Sequence, residues 1–187
     1  MNDNNNNFLK KVRMRKLVSS IIVIILSLTT MMAQNSYRET GNITIDAGLG
    51  LSSLSGGYSL VLPPVKVDAE YTLLSFGAGS LSVGGYFSLG VDKYSSYDMD
   101  VTTFLVGPMS CVRYAVTDNI DIFGKLIVGY VGVSPSDSLV NSYIRGSHAG
   151  AGAYVGGTWY FSPKMGLGGE IGYGGPTLFG LHLTFKI

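Results

Sequence analysis

The chain has 187 residues, room for one domain, with 13% charged residues, 26 glycines and a mean hydropathy of +0.30. A soluble domain carries about 25% charged residues, so this chain is too apolar and too glycine-rich for an ordinary soluble fold. Its formal net charge of +1 excludes the basic field of a nucleic-acid-binding surface, and its one cysteine, Cys111, excludes an intrachain disulfide framework and any multi-cysteine metal site.

Residues 1–33 read as an export signal. A basic stretch (Lys10, Lys11, Arg13, Arg15, Lys16) precedes the apolar run 17–28, and Thr29-Thr30-Met31-Met32-Ala33 leads to Gln34. The run is too short for a membrane anchor, which needs roughly 20 apolar residues. Met14 offers a second start. Removing the leader leaves residues 34–187 with 8 basic and 11 acidic residues, a formal charge of −3. In that remainder no apolar run approaches the length of a membrane-spanning helix.

Period-two alternation runs through the rest, and it predicts strands. In the first, Ile43, Ile45, Ala47, Leu49 and Leu51 alternate with Thr44, Asp46, Gly48 and Gly50. In the second, Val65, Val67, Ala69, Tyr71 and Leu73 alternate with Lys66, Asp68, Glu70 and Thr72. The third sets Leu81, Val83, Gly85, Phe87, Leu89 and Val91 against Ser82, Gly84, Tyr86, Ser88, Gly90 and Asp92. The fourth shares one face among Phe104, Val106, Pro108, Ser110, Val112, Tyr114 and Val116, leaving Arg113 on the other. In the fifth, Ile120, Ile122, Leu126, Val128 and Tyr130 oppose Asp121 and Lys125, but Phe123 and Ile127 interrupt the pattern. The sixth sets Ala149, Ala151, Ala153, Val155, Trp159 and Phe161 against His148, Gly150, Gly152, Tyr154, Thr158 and Tyr160. The seventh sets Met165, Leu167, Ile171 and Tyr173 against Gly166, Gly168, Glu170 and Gly172. The eighth sets Phe179, Leu181, Leu183, Phe185 and Ile187 against Gly180, His182, Thr184 and Lys186.

Eight such strands predict an all-β, antiparallel, up-and-down barrel, and a tilted strand needs about 9 to 11 residues to cross a bilayer. The connections 52–62, 93–101 and 133–146 read as long polar loops, while 117–119 and 162–164 are short turns. Transmembrane barrels have that asymmetry, with short periplasmic turns and long extracellular loops. The exception is the last connection, Gly174-Gly175-Pro176-Thr177, which should be long and is not. Pro63-Pro64 reads as lying just before the second strand, where proline removes no ladder bond.

Alternation alone does not say whether the apolar face points into a soluble barrel or out into lipid. Three features favour lipid. The opposite face is rich in glycine, which weakens a water-exposed strand but makes room in a narrow lumen for Tyr86, Tyr154 and Tyr160. Aromatic residues gather near strand ends: Tyr71, Tyr114, Trp159, Phe161 and Phe185 toward the short turns, Phe104, Tyr130, Tyr173 and Phe179 toward the loops. Two such bands match interfacial girdles. The polar face mixes charges, Asp46, Asp68, Glu70, Asp121 and Glu170 against Lys66, Arg113, Lys125 and Lys186, so a lumen network is the expected arrangement. The expectation is an eight-stranded transmembrane β-barrel whose outer face meets outer-membrane lipid.

Several segments carry a resemblance. Residues 63–71 (Pro-Pro-Val-Lys-Val-Asp-Ala-Glu-Tyr), 82–86 (Ser-Val-Gly-Gly-Tyr), 160–167 (Tyr-Phe-Ser-Pro-Lys-Met-Gly-Leu) and 169–174 (Gly-Glu-Ile-Gly-Tyr-Gly), with the closing strand, resemble small porin-like outer-membrane barrels of Gram-negative bacteria, the OmpA/OmpX-like group. The resemblance covers nearly all of residues 34–187. It implies a barrel inserted by the outer-membrane assembly machinery, which reads the last strand. That family usually ends in an aromatic residue; here Ile187 is last, with Phe185 two earlier.

Chemistry is sparse. The lumen charges read as a structural plug of ion pairs in a barrel just wide enough for side chains to fill, with a proton or ion relay as the alternative. His148 and His182 are candidate general bases for a lipid-modifying enzyme, but no acidic partner or serine motif accompanies them, and no enzyme activity is expected. No metal-ligand spacing, phosphate loop or cofactor motif occurs. Cys111 reads as an inert interior thiol. The loop from Ser134 to Gly146, with Pro135, Asp137, Tyr143 and Arg145, is the candidate extracellular contact surface for an unidentified partner. The functional expectation is a structural or surface-interaction protein acting through its loops, with a narrow channel as the second reading and a lipid-modifying enzyme as the third.

Overall fold

A computed structural model describes residues 39–52, 58–94, 99–135 and 146–187. The expected export signal, and Asp137, Tyr143 and Arg145 of the candidate contact loop, lie outside the described residues. The strands are β1 (Ile43–Ser52), β2 (Tyr58–Phe76), β3 (Gly79–Tyr94), β4 (Met99–Thr117), β5 (Ile120–Pro135), β6 (His148–Ser162), β7 (Met165–Tyr173) and β8 (Thr177–Lys186). Each pairs antiparallel with its sequence neighbour, and β8 returns to β1, so the sheet closes in the order β1 to β8. Closure leaves no free edge, which is what a barrel wall in lipid requires.

The ten residues of β1, rising about 3.4 Å each and tilted about 40°, span roughly 26 Å, the height of the apolar band of a membrane barrel. The short turns are fixed locally. Gly77 sits at φ 56° between β2 and β3, Thr117 Oγ donates to Asn119 Oδ1 at 2.9 Å, and Met165 N donates to Ser162 Oγ at 3.0 Å.

At the loop end the structure corrects the expected boundaries. Residues 58–62, 93–94, 99–101 and 133–135 belong to strands rather than loops, because β2–β5 continue pairing beyond the neighbouring strands. Tyr58 pairs with Tyr94, Lys93 with Asp100 and Val101 with Pro135. Pro63 and Pro64 lie inside β2, not before it. They fit because the β2–β3 register shifts between Leu62 and Val65, and because pairing with β1 begins only at Val65, so the missing N–H groups fall at a bulge on an unpaired stretch.

Side-chain direction follows the alternation throughout, apolar face outward. Leu49, Leu126, Val128 and Val155 are each 58% or more exposed, whereas Asp46, Lys125 and Glu170 are 2% or less. A water-soluble protein does the reverse. Phe123 and Ile127 keep strand parity and point inward, so the interruption in β5 reflects an interior that is itself partly apolar. Inside, Tyr86, Leu105, Met109, Ile127, Val131 and Tyr154 form one buried cluster. Along β4 and β5 these residues lie nearer the loop end than Arg113 and Lys125, so the lumen holds an apolar layer beside a charged one.

Candidate functional site: the charged lumen

The charged layer is built from inward positions of six strands. β1 supplies Asp46; β2 supplies Lys66, Asp68 and Glu70; β4, β5, β7 and β8 supply Arg113, Lys125, Glu170 and His182. Lys125 Nζ is the hub. It donates to Asp46 Oδ2 at 2.8 Å and to both Asp68 oxygens at 2.9 Å, and it lies 3.7 Å from Glu170 Oε2. Arg113 Nη2 donates to the same Asp46 oxygen at 2.8 Å, and its Nε donates to Glu70. Lys66 Nζ closes the chain, 2.6 Å from Glu170 Oε2 and 4.0 Å from Asp68 Oδ2. Thr184 Oγ donates to the remaining Asp46 oxygen at 2.6 Å.

Seven of the nine expected network residues are therefore joined in one continuous cluster. Asp121 is buried nearer the short-turn end, opposite Ala115 and Thr158. Lys186, half-buried at that end, places its Nζ 3.6 Å from the centroid of the Tyr160 ring. The nine expected girdle aromatics all face outward, with Trp159 against Phe161 and Tyr130 against Phe104, each pair at 6.0 Å.

Sequence reading missed two participants and left a third unexplained. Thr184 and His182 share the inward parity of β8; His182 Nε2 lies 3.9 Å from Asp46 Oδ2, with its ring 5.7 Å from Phe123. Parity was the available signal, but a lone threonine gives no hint that it caps a carboxylate. Phe123 lies under both cations, its centroid 4.8 Å from the Arg113 guanidinium carbon and 4.9 Å from Lys125 Nζ. An aromatic face is a favourable neighbour for a desolvated cation, so this residue helps hold two positive charges close together.

The inward glycines make the space. A Cβ at Gly84 would lie 2.8 Å from Glu70 Cα, and one at Gly166 would lie 2.9 Å from Tyr160 Cδ1. For chemistry the cluster offers charge without an opening: each of its side chains is 4% exposed or less. His148, at the other end of the chain's polar inventory, is exposed, with Nδ1 3.1 Å from the Gly146 carbonyl oxygen. Among the described residues, no group of three or more histidine, cysteine or acidic side chains is arranged to hold a metal ion.

A closed eight-stranded antiparallel sheet with an apolar exterior and an ion-paired interior defines the class: a small barrel of the outer-membrane type, the fold of the OmpA/OmpX-like group. The crystal structure of Ail, the attachment invasion locus protein of Yersinia pestis, in complex with the heparin analogue sucrose octasulfate, superposes with a TM-score of 0.50 at 11% identity over 80% of this chain and 100% of that one. OprG from Pseudomonas aeruginosa gives 0.48 at 9% identity, covering 80% and 97%, and a de novo designed transmembrane β-barrel gives 0.48 at 14% identity, covering 80% and 98%. The likeness to Ail is one of fold. No family model matches the chain, and no curated protein matches it in sequence.

Proposed function

We propose that this chain is an exported integral outer-membrane protein whose barrel is a closed anchor and whose work is done by the surface it presents outside the cell. One observation carries the reading: the interior is filled, with Leu105, Lys125, Ile127, Tyr154 and Glu170 all between 0% and 2% exposed. A filled lumen leaves the loop-end surface as the place where another molecule can be met, and binding on a rigid scaffold concentrates in its loops. Residues 1–33 then serve as the export signal. The last strand, with Phe185 near its end and Ile187 just beyond it, serves as the element read by the assembly machinery, and lipid is the partner of the outer wall.

The partner at the loops is not a polyanion in this reading. In sequence, Asp98, Asp100 and Asp137 outnumber Lys93 and Arg145 over residues 93–101 and 133–146, whereas a sulfated chain would call for clustered arginine and lysine. A neutral or weakly basic surface suits these loops better.

Two measurements test the proposal together. Fractionation of the native host is expected to place the protein in the outer membrane, with gel mobility that shifts on boiling. Purified barrel in a planar bilayer is expected to leave the baseline current flat. A soluble periplasmic protein would overturn the membrane reading, and discrete conductance steps would replace the anchor with a narrow channel.

A further inference from the structure

The last connection is short where the architecture calls for a long one, and its surroundings give the reason. β7 and β8 have 9 and 10 residues, whereas β2–β5 have 16 to 19. Residues 174–176 therefore lie below the rim raised by β2–β5, and Pro176 and Thr177 are buried rather than projecting into solvent. Gly174, at φ 109°, turns the chain there; a Cβ would lie 2.5 Å from Gly152 Cα. A Cβ at Gly90 would lie 3.1 Å from Pro176 Cβ and 3.2 Å from Pro64 Cγ, so the two prolines close in over the same glycine. A Cβ at Gly175 would lie 2.9 Å from the Tyr154 hydroxyl and 3.0 Å from Leu105 Cδ2. Tyr154 stacks on Tyr86 at 5.6 Å and donates to the Thr177 carbonyl at 3.2 Å.

We propose that residues 174–176 are an inward-folded stopper, seated on Leu105 and Tyr154, and that this stopper rather than the ion cluster isolates the lumen from the outside. The chemistry of the two layers supports the assignment. Charged side chains rearrange around water that reaches them, but an apolar layer offers entering water no polar partner, so a lumen capped this way stays dry until the cap moves. Buried polar side chains lie on both sides of the apolar layer, Asp92 and Thr103 toward the loops and Thr72, Ser80 and Thr158 toward the short turns. The apolar layer of Leu105, Met109, Ile127 and Val131 is therefore the barrier between them.

The chain carries its own reporter. Cys111 is its single cysteine, faces inward on β4 opposite Ser82 and Lys125, and is 1% exposed. Full-length barrel is reconstituted in vesicles, and a cationic methanethiosulfonate is added on the loop side, counting label only in the folded, heat-shifting gel band. Wild type is expected to label slowly. Leu105→Ala combined with Pro176→Ala is expected to label about tenfold faster or more, because lost apolar packing lowers the cost of local opening. Tyr154→Phe, which removes the hydroxyl that donates to Thr177 and keeps the ring, is expected to give a smaller increase and guards against the double variant failing to fold. Lys66→Met combined with Glu170→Gln, which dissolves an ion pair and leaves the stopper intact, is expected to stay slow. Fast labelling of that ion-pair variant, or slow labelling of both stopper variants, overturns the proposal. The outcome is independent of bilayer conductance, which tests the anchor reading separately.

Discussion

Lys125→Met probes the interior most sharply. The side chain is 1% exposed and its ammonium contacts Asp46 and Asp68 at 2.8 and 2.9 Å. At an effective dielectric of about 20, each such contact is worth roughly 6 kcal/mol of attraction before desolvation is subtracted. Asp46 and Asp68 are also direct cross-strand partners. Without Lys125 two carboxylates face one another across β1 and β2, and like charges directly opposite are unfavourable. Breaking a buried pair from one side costs about 3–5 kcal/mol, and that is the expected loss for Lys125→Met. Adding Asp68→Asn should restore most of it, since the remaining Asp46 keeps Arg113 and Thr184 as donors. The assay is urea unfolding of the barrel in lipid vesicles, followed by the fluorescence of the single tryptophan. A loss below about 1 kcal/mol, the level of an exposed pair, would mean that water screens the cluster and that the dry-lumen reasoning is wrong.

Three further outcomes follow from the same geometry. Ile127→Ala should cost about 2–5 kcal/mol by opening a cavity in the apolar layer, read in the same unfolding experiment. Val128→Arg, on the outward face of β5 at 66% exposure, should cost about 2–4 kcal/mol in a bilayer, and the cost should shrink if the same change is placed at the loop-end position Ser59. Gly84→Val should prevent closure altogether, because even a Cβ there strikes the β2 backbone; the expected readout is loss of the boiling-dependent gel shift.

Strand number, order and facing were legible because a barrel in lipid enforces period-two alternation on every strand, and a slip of one residue would turn charges into hydrocarbon. The lumen network was legible for the same reason: Asp46, Lys66 and Lys125 stand out as charges at alternating positions among apolar residues. Loop boundaries were not, since in the extensions of β2–β5 the apolar-out pattern lapses: Leu60, Val61 and Leu62 are all exposed in succession, whereas Met99 and Val101 face inward. The role of Phe123 escaped because periodicity treats an inward aromatic as an error, whereas its ring lies within 5 Å of two cations supplied by different strands. The short last connection was visible as an anomaly, but Pro176 and Pro64 come to the same glycine, Gly90, only through closure of the sheet, which brings together residues far apart in the chain.

The central claim is that the apolar face of the sheet meets lipid, and the chain's one tryptophan tests it directly. Trp159 is outward, 51% exposed and three residues from the β6 end of a short turn. In vesicles of lipids brominated at defined depths, its fluorescence should be quenched, most strongly by bromines near the headgroups, and aqueous iodide should quench it weakly. Strong iodide quenching with no effect of any brominated lipid would place that face in water and turn the barrel inside out.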